Sequence, residues 1–442
     1  MKKTLILILF LACYNLFSQS EKKYDVLSKE LPNWVKLMYS DNIDESIVIQ
    51  EYELYYKENE FQKNKHTQYY KRWIRSISRE TLPIKNIKSK SSNNWECIGP
   101  WDFDIDAESR SYAPGAAHLY TIEQSLSNSN VLYAGAATAG AWRSDNKGDN
   151  WYHITKDLHL SGVYAIEIDF QDENIIYISG NGELYKSIDG GSNWISIGGN
   201  NFNSQSHSIK DIKMHPQNNQ ILFVVSNQGL YKSTNGGVTL NEIMSGEFQE
   251  IEFHPNSADT MYFIRQEANY TEFYRSDNNG NTLNLLSNGW PNPSSNDEQK
   301  RTEIAVSIAA PNKIVALATG AANGGSGLYG IYISYDKGEN WTFRCCGPQP
   351  AGVPSANNIN MMGWQPSGLD DGGQYYYDLA LAVNPYDANI IHVGGVNHWI
   401  SFDDGNTFSC PAKWSEPYKK GYVHADIHDI NYFGNDLWFA CD

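Results

Sequence analysis

Short runs of alternating apolar and polar residues dominate the chain from about residue 95 onward. A representative set occupies residues 163–170, 175–179, 183–187 and 194–197. Alternation with a period of two turns one face of each run toward a core, so the pattern predicts four successive β-strands. Later segments repeat this order. Several of their first strands end at a proline, which has no N–H to donate to a sheet.

An octapeptide of the form S-x-[DN]-x-G-x-[TN]-[WLF] follows the third strand of each set. Its six copies begin at Ser144, Ser187, Ser233, Ser276, Ser334 and Ser401, with spacings of 43, 46, 43, 58 and 67 residues. A period near 45 residues with four strands per unit predicts the blades of a β-propeller. The Asp or Asn oxygen and the glycine suit a tight hairpin, so we interpret the octapeptides as structural turns rather than catalytic sites.

The predicted fold is therefore all-β, a propeller of four-stranded blades over residues 95–442. Six blades can be counted, and a seventh begins near Val423, while the sequence stops at Asp442 in the middle of that blade. Propellers close their ring to protect sheet edges. We accordingly expect seven or more blades in the complete protein and expect this chain to be truncated in the seventh.

The N-terminal part differs in composition from the propeller. Residues 21–80 are rich in Glu, Lys, Asn and Tyr, contain no glycine and show helical spacing of apolar positions, which predicts two or three helices. Residues 81–94 form a linker rich in Lys and Ser. The helical segment is expected to be a packing cap on the propeller, with a propeptide or secretion helper as the alternative.

Residues 1–20 have the features of a secretory signal peptide. Lys2 and Lys3 precede a short apolar run that is too short to span a bilayer, and small polar residues follow. The prediction is an exported protein, extracellular or on the outer cell surface, with no transmembrane span. Export permits disulfides, and the five cysteines outside the signal leave their pairing open.

Composition narrows the classes of partner. The formal net charge is −17, which argues against nucleic acid, because nucleic-acid binding requires positive potential. Aromatic residues make up 13% of the chain and include 29 Tyr and 13 Trp. An extracellular polysaccharide or a protein is therefore the expected partner, and the sequence leaves the oligomeric state open.

The octapeptides resemble the Asp-box (BNR) repeat of sialidases, sortilin-type receptors and xyloglucanase-like glycoside hydrolases. The whole chain is also similar to large secreted Bacteroidetes proteins, through residues 70–73, Trp95 with residues 98–100, residues 377–383 and residues 422–429. Such proteins often carry a C-terminal sorting domain for type IX secretion, which this sequence does not show. The resemblance implies a fold rather than a function, because the same fold serves enzymes and receptors.

The long connection after the fifth octapeptide is the first candidate site. It covers residues 345–378, about twenty residues more than an average blade connection. Long loops on a rigid scaffold often carry binding residues, and aromatic rings beside carboxylates suit sugars. Its candidate ligand-binding residues are Trp364, Asp370, Asp371, Tyr376, Tyr377 and Asp378. The alternative is a surface loop in which Asp370 and Asp371 only form a turn.

The first strand of the seventh blade is the second candidate site. His424, Asp426 and His428 alternate along it, so a strand would turn all three toward the channel, where they could bind a divalent metal or form a structural polar network. A glycosidase needs two carboxylates flanking one bond, and Asp378 with Asp426 is the candidate catalytic pair. Asp102, Asp104 and Asp106 resemble the start of a calcium loop, but Ala107 stands where the loop requires glycine.

Three functions remain open at this point. The first is a non-catalytic binding module for glycans or protein partners, without a required cofactor, although calcium or another divalent metal fits the acidic composition. The second is a xyloglucanase-like glycoside hydrolase. The third is a structural or secretion-associated component. A carboxylate pair facing across a cleft would favour the enzyme over the binding module.

Overall fold

The computed structural model describes residues 31–40, 44–59, 61, 66, 67, 69, 70, 73, 118–158, 160, 162–202, 207–416 and 421–442. The chain divides into two compact units, Met1–Pro114 and Gly115–Asp442. The predicted signal peptide, the linker and the Asp102–Asp106 motif lie outside the described residues, and those predictions stay open.

The N-terminal unit contains two described helices, α1 (Asn33–Met38) and α2 (Glu45–Glu58). Asp44 caps α2, because its Oδ1 accepts hydrogen bonds from the backbone N–H groups of Ser46 and Ile47 at 3.1 and 3.3 Å. The helices enclose an aromatic core in which the rings of Tyr52 and Tyr70 stack 3.7 Å apart. The helical prediction for this segment is confirmed.

Over its described residues, the second unit is a propeller with six four-stranded antiparallel sheets and one two-stranded sheet, in chain order. Sheets 1–3 contain β1 (Leu119–Gln124), β2 (Leu132–Ala136), β3 (Ala141–Ser144), β4 (Tyr152–His153), β5 (Ile166–Ile168), β6 (Ile176–Gly180), β7 (Glu183–Ser187), β8 (Ile195–Ile197), β9 (Ile209–His215), β10 (Asn218–Ser226), β11 (Gly229–Ser233) and β12 (Asn241–Ser245). A short 3₁₀ helix, Gly199–Asn201, follows β8.

Sheets 4–6 contain β13 (Glu247–Phe253), β14 (Met261–Gln266), β15 (Thr271–Ser276), β16 (Asn284–Leu285), β17 (Glu298–Val306), β18 (Ile314–Ala322), β19 (Gly325–Ser334), β20 (Thr342–Cys345), β21 (Ala380–Val383), β22 (Ile391–Gly394), β23 (His398–Ser401) and β24 (Ser409–Ala412). The two-stranded sheet pairs β25 (Ile427–Phe433) with β26 (Asp436–Cys441). The prediction of an all-β propeller with four-stranded blades is confirmed.

The first strands of the seven sheets form a closed ring around a central channel. Each contacts the first strand of the next sheet, and β25 contacts both β21 and β1, so the two-stranded sheet fills the space between sheets 6 and 1. Asp429 Oδ2 accepts from Ile122 N at 3.1 Å, and Asn431 Nδ2 donates to Ile122 O at 3.0 Å. The inner hairpin of the seventh sheet thus closes the ring, and the prediction that the chain is truncated within the seventh blade stays open.

Apolar residues between neighbouring sheets form the core. Buried side chains of adjacent blades make a series of clusters around the ring, such as that of Phe223, Phe248 and Phe263 between sheets 3 and 4. Cys345 and Cys346 form a disulfide within the cluster between sheets 5 and 6. Cys410 and Cys441 are free thiols, and Cys97 lies outside the described residues.

The octapeptides form the turns between the third and fourth strands. In the fifth copy, Ser334 Oγ accepts from Gly338 N at 2.8 Å and donates to Asp336 Oδ1 at 2.8 Å, and Asp336 Oδ1 accepts from Asn340 N at 2.9 Å. Gly338 has a φ of +85°, and a Cβ there would lie 2.1 Å from the Phe273 ring of the preceding sheet. Each turn therefore also packs against its neighbouring blade.

Replacing Ser334 with alanine should lower the free energy of unfolding by about 1–3 kcal/mol, because the buried Gly338 N–H loses its acceptor. Urea unfolding of this variant and of Ser367→Ala, an exposed loop serine, measures the difference. Equal stability of the two variants would contradict the structural role of the turn.

Candidate functional site

The seven inner strands begin on one face of the propeller, which we call the upper face. Because neighbouring strands are antiparallel, the turns from second to third strands also lie on the upper face, and the octapeptides lie on the opposite, lower face. The channel contains a cavity of about 960 Å³ that is lined by residues of the inner strands. Side chains from all seven blades therefore converge on one space.

One part of the channel is acidic around Lys213, while Lys210, Lys300 and Arg301 also line the cavity. Side chains at alternate positions of the inner strands face it, because successive residues of a strand point to opposite sides. Lys213 on β9 lies among Glu123, Glu167, Asp211, Glu252 and Asp429. Burial raises the pKa of Glu167 to about 8, of Glu252 to about 7 and of Asp429 to about 6, and the charge of Lys213 opposes each increase.

Tyrosine rings line one side of the upper mouth of the channel, next to sheets 1, 2 and 6. Tyr120 on β1 stacks on Tyr164 with 4.5 Å between ring centroids, and Tyr377 lies edge-on to Tyr120 at 6.4 Å. His428 contacts the rings of both Tyr120 and Tyr377 at 4.7 Å. Tyr376 is 74% exposed and Tyr164 is 49% exposed. The mouth thus presents exposed aromatic surface on a rigid ring.

Three aspartates lie beside these tyrosines. Asp378 is only 1% exposed, and neither of its carboxyl oxygens has a hydrogen-bond partner among the described residues. Burial and the nearby charge of Asp426 raise the pKa of Asp378 to about 8, so this carboxyl is protonated at neutral pH. Asp442 Oδ1 accepts from His428 Nε2 at 3.0 Å and from Tyr377 OH at 3.3 Å, which orients the His428 ring.

The predicted loop residues separate into three groups. Tyr376 and Tyr377 line the channel mouth, and Asp378 is buried directly behind them. Asp370 and Asp371 instead hold the loop together: Asp370 Oδ2 accepts from Trp364 N at 2.7 Å, and Asp371 Oδ1 accepts from Ser326 N at 2.6 Å. Trp364 is exposed but does not line the channel cavity.

The predicted metal strand is not a strand over its whole length. Strand β25 begins only at Ile427, and Asp426 has a φ of +59°, so His424, Asp426 and His428 do not alternate on one strand face. His428 lines the channel, whereas Asp426 Oδ1 accepts from Gln374 Nε2 at 2.8 Å. Within the described residues, no three His, Cys, Asp or Glu side chains are grouped so that they could hold a metal ion.

Tyr120, Tyr164 and the carboxylates around Lys213 are absent from the sequence-based candidates. A signal for the tyrosines existed: Tyr120, Tyr164 and Tyr377 each stand at or just before the first strand of a blade. A second signal is the pair of charges two residues apart in each of two strands, Asp211 with Lys213 and Glu250 with Glu252. Both acquire meaning only once these strands are known to surround one channel.

Comparisons with solved structures identify other propellers. The GH74 xyloglucanase of Xanthomonas campestris aligns with a TM-score of 0.53 and 14% identity over 74% of this chain and 51% of that chain. An ancestral GH74 enzyme aligns with a TM-score of 0.52 and 16% identity over 73% of this chain and 43% of that chain. YCF48 from Cyanidioschyzon merolae aligns with a TM-score of 0.48 and 13% identity over 75% of this chain and 95% of that chain.

This chain thus spans about half the length of the GH74 chains that it matches. No family model matches the sequence, and no curated protein matches it. Likeness at these identities establishes the propeller fold and leaves the role of the channel to be argued from its residues. None of the helices in the described residues is long and apolar enough to cross a lipid bilayer.

Proposed function

We propose that this protein is a non-catalytic propeller that binds a glycan chain at the upper mouth of its channel. The observation that supports the proposal is the group of exposed tyrosine rings beside a cavity of about 960 Å³. Concave sites that combine aromatic surface with a few fixed polar groups are typical of small-molecule and sugar recognition. Sugar rings can stack on Tyr164 and Tyr376, and carboxylates at the mouth can accept hydrogen bonds from sugar hydroxyls.

Charge restricts the kind of glycan. The chain carries a formal net charge of −17 at pH 7. This net negative charge repels acidic polymers, so uronic-acid polysaccharides are disfavoured. We therefore propose a neutral or amino-sugar chain as the ligand.

A glycoside hydrolase is the second candidate, because Asp378 and Asp426 lie close together and Asp378 keeps its proton at neutral pH, as a general acid does. The burial of Asp378 favours the binding module instead, since a catalytic carboxyl must reach the glycosidic bond. In this structure the pair does not face across an open cleft.

A polysaccharide array tests both candidates with the full chain. We expect the protein to be retained on a neutral or amino-sugar polysaccharide without release of reducing ends. Tyr164→Ala and Tyr376→Ala should each weaken retention about tenfold or more, which corresponds to about 1.4 kcal/mol for one lost aromatic contact.

Tyr386→Ala is the matched control, because Tyr386 is an exposed tyrosine between β21 and β22 on the lower face. Its retention should equal that of the wild type. Retention that survives in both mouth variants would contradict the proposed site. Release of reducing ends that disappears in Asp378→Asn would instead establish the hydrolase.

A further inference from the structure

A second cavity of about 410 Å³ opens beside the channel, between sheets 2 and 3. Its walls come from residues 162–164 before β5, the turn between β6 and β7, and His207–Ile209 at the start of β9. A turn between second and third strands lies on the upper face, as do the beginnings of β5 and β9. The cavity, which we call the side groove, therefore opens on the same face as the channel mouth.

Tyr164 lines both the channel cavity and the side groove. Its backbone is fixed, because Ser179 Oγ accepts hydrogen bonds from the N–H groups of Tyr164 and Ala165, each at 3.0 Å. The space beside the ring depends on Gly162, where a Cβ would lie 3.0 Å from Tyr164 Cε2 and 2.9 Å from Ala137 O. One positioned ring thus belongs to both spaces.

The side groove offers uncharged polar groups rather than the carboxylates of the channel. His207 Nδ1 is buried and has no hydrogen-bond partner among the described residues. Ser208 lies beside it in the groove wall, and its N–H donates to Asn227 Oδ1 at 2.8 Å. Among the described residues of the lining, Glu183 is the one acidic residue, and it accepts a hydrogen bond from Ser196 at 2.8 Å. This lining suits hydroxyl groups.

We infer that the ligand is an extended oligosaccharide that runs from the channel mouth across Tyr164 into the side groove. The inference rests on the proposed function and adds the length and path of the bound chain. The channel cavity alone is already near the upper limit of about 1,000 Å³ for a small-ligand site. A ligand with several sugar units explains why a separate groove shares the Tyr164 ring with the channel cavity. The sugar unit that stacks on Tyr164 then lies between the two spaces.

Calorimetric titration with cello-oligosaccharides and chito-oligosaccharides of increasing length tests this inference. For the wild type, the affinity should rise with length beyond the oligomers that the channel mouth accommodates. Ser208→Tyr should fill the side groove and lower the affinity for long oligomers about tenfold, the equivalent of about 1.4 kcal/mol, while leaving that for short oligomers unchanged. His207→Ala should show the same pattern more weakly.

Ser192→Tyr is the matched control, since Ser192 is an exposed octapeptide residue on the lower face. It should bind like the wild type at every length. Equal affinities of Ser208→Tyr and the wild type for long oligomers, or an affinity that does not depend on length, would overturn the inference and leave the channel-mouth proposal standing. If the wild type binds no oligomer of either series, both proposals are overturned. Selective binding of a peptide would have the same consequence.

Discussion

Replacing Lys213 with methionine is expected to lower the free energy of unfolding by about 3 kcal/mol at about pH 8. Burial raises the pKa of five channel carboxyls, and the positive charge of Lys213 lowers each of these pKa values. The five are Glu123, Glu167, Asp211, Glu252 and Asp429. Removing one partner of a buried ion pair costs about 3–5 kcal/mol. We expect the lower end of that range because the side chain faces a cavity rather than a packed interior.

The loss should shrink as the pH falls. Each of these carboxyls has a pKa that folding raises, so the folded state favours its protonated form. Such a group contributes stability below its unfolded pKa, and that contribution disappears as the pH rises through the folded pKa. For Asp429, Glu252 and Glu167 the folded values are about 6, 7 and 8. Without Lys213 these values rise further, so the variant should approach the wild type near pH 5 and lose most stability near pH 8.

Urea unfolding at both pH values measures the effect, and two further variants interpret it. Lys186→Met is the matched control, since Lys186 lies on β7 and donates to Gly236 O at 3.0 Å. It should cost about 1 kcal/mol at either pH. Asp211→Asn combined with Lys213→Met should recover part of the loss, because it removes one uncompensated carboxylate. A loss that does not change with pH would mean that the apolar stem of Lys213, and not its charge, stabilises the channel.

The fold could be predicted because its signal is local and repeated. Ser334, Asp336 and Gly338 make their turn largely among themselves, so eight residues of sequence specify the geometry. Strand alternation is equally local. Six copies of the turn at similar spacing then predict a radial arrangement of blades, because each copy marks the same position in one four-stranded sheet.

The site could be predicted only in part, because it is assembled from seven blades. Tyr377 was found because a long connection draws attention to its residues, but Tyr120 and Tyr164 stand in ordinary connections. Asp370 and Asp371 were misleading, since an exposed Asp-Asp-Gly-Gly sequence does not reveal which backbone N–H groups its carboxylates accept from. The positive φ of Asp426, which takes it out of β25, depends on contacts such as that with Gln374.

Acid should weaken the contact between sheet 6 and the β25–β26 hairpin through two buried histidines. His392 Nδ1 and His398 Nε2 share a hydrogen bond at 2.9 Å, and His392 Nε2 contacts Tyr432 OH of β25 at 2.7 Å. Asn384 Nδ2 donates to the same hydroxyl at 3.1 Å, and the ring of His398 packs edge-on to Phe439 of β26 at 4.9 Å. Within the part of the chain that the structure describes, neither ring has a hydrogen bond or ion pair with a charged side chain that would compensate an added proton.

Burial lowers the pKa of His392 to about 4, and burial together with the charge of His392 lowers that of His398 to about 3. Because both folded values lie below the unfolded value of about 6.5, the neutral rings contribute full stability above about pH 6.5. That contribution is lost as the pH falls toward 4. One pKa unit corresponds to about 1.36 kcal/mol, so the shift of His392 alone represents about 3 kcal/mol.

The test compares the pH dependence of urea unfolding for the wild type and for the double variant His392→Phe with His398→Phe. The channel carboxyls gain protons in the same range and act in the opposite direction, so the difference between the two proteins, rather than either profile, isolates the histidines. Between pH 7 and pH 4, we expect the free energy of unfolding of the wild type to fall by about 3 kcal/mol or more relative to that of the double variant. Parallel pH profiles for the wild type and the double variant would contradict this prediction. They would show that protonation of the histidine pair does not lower the free energy of unfolding.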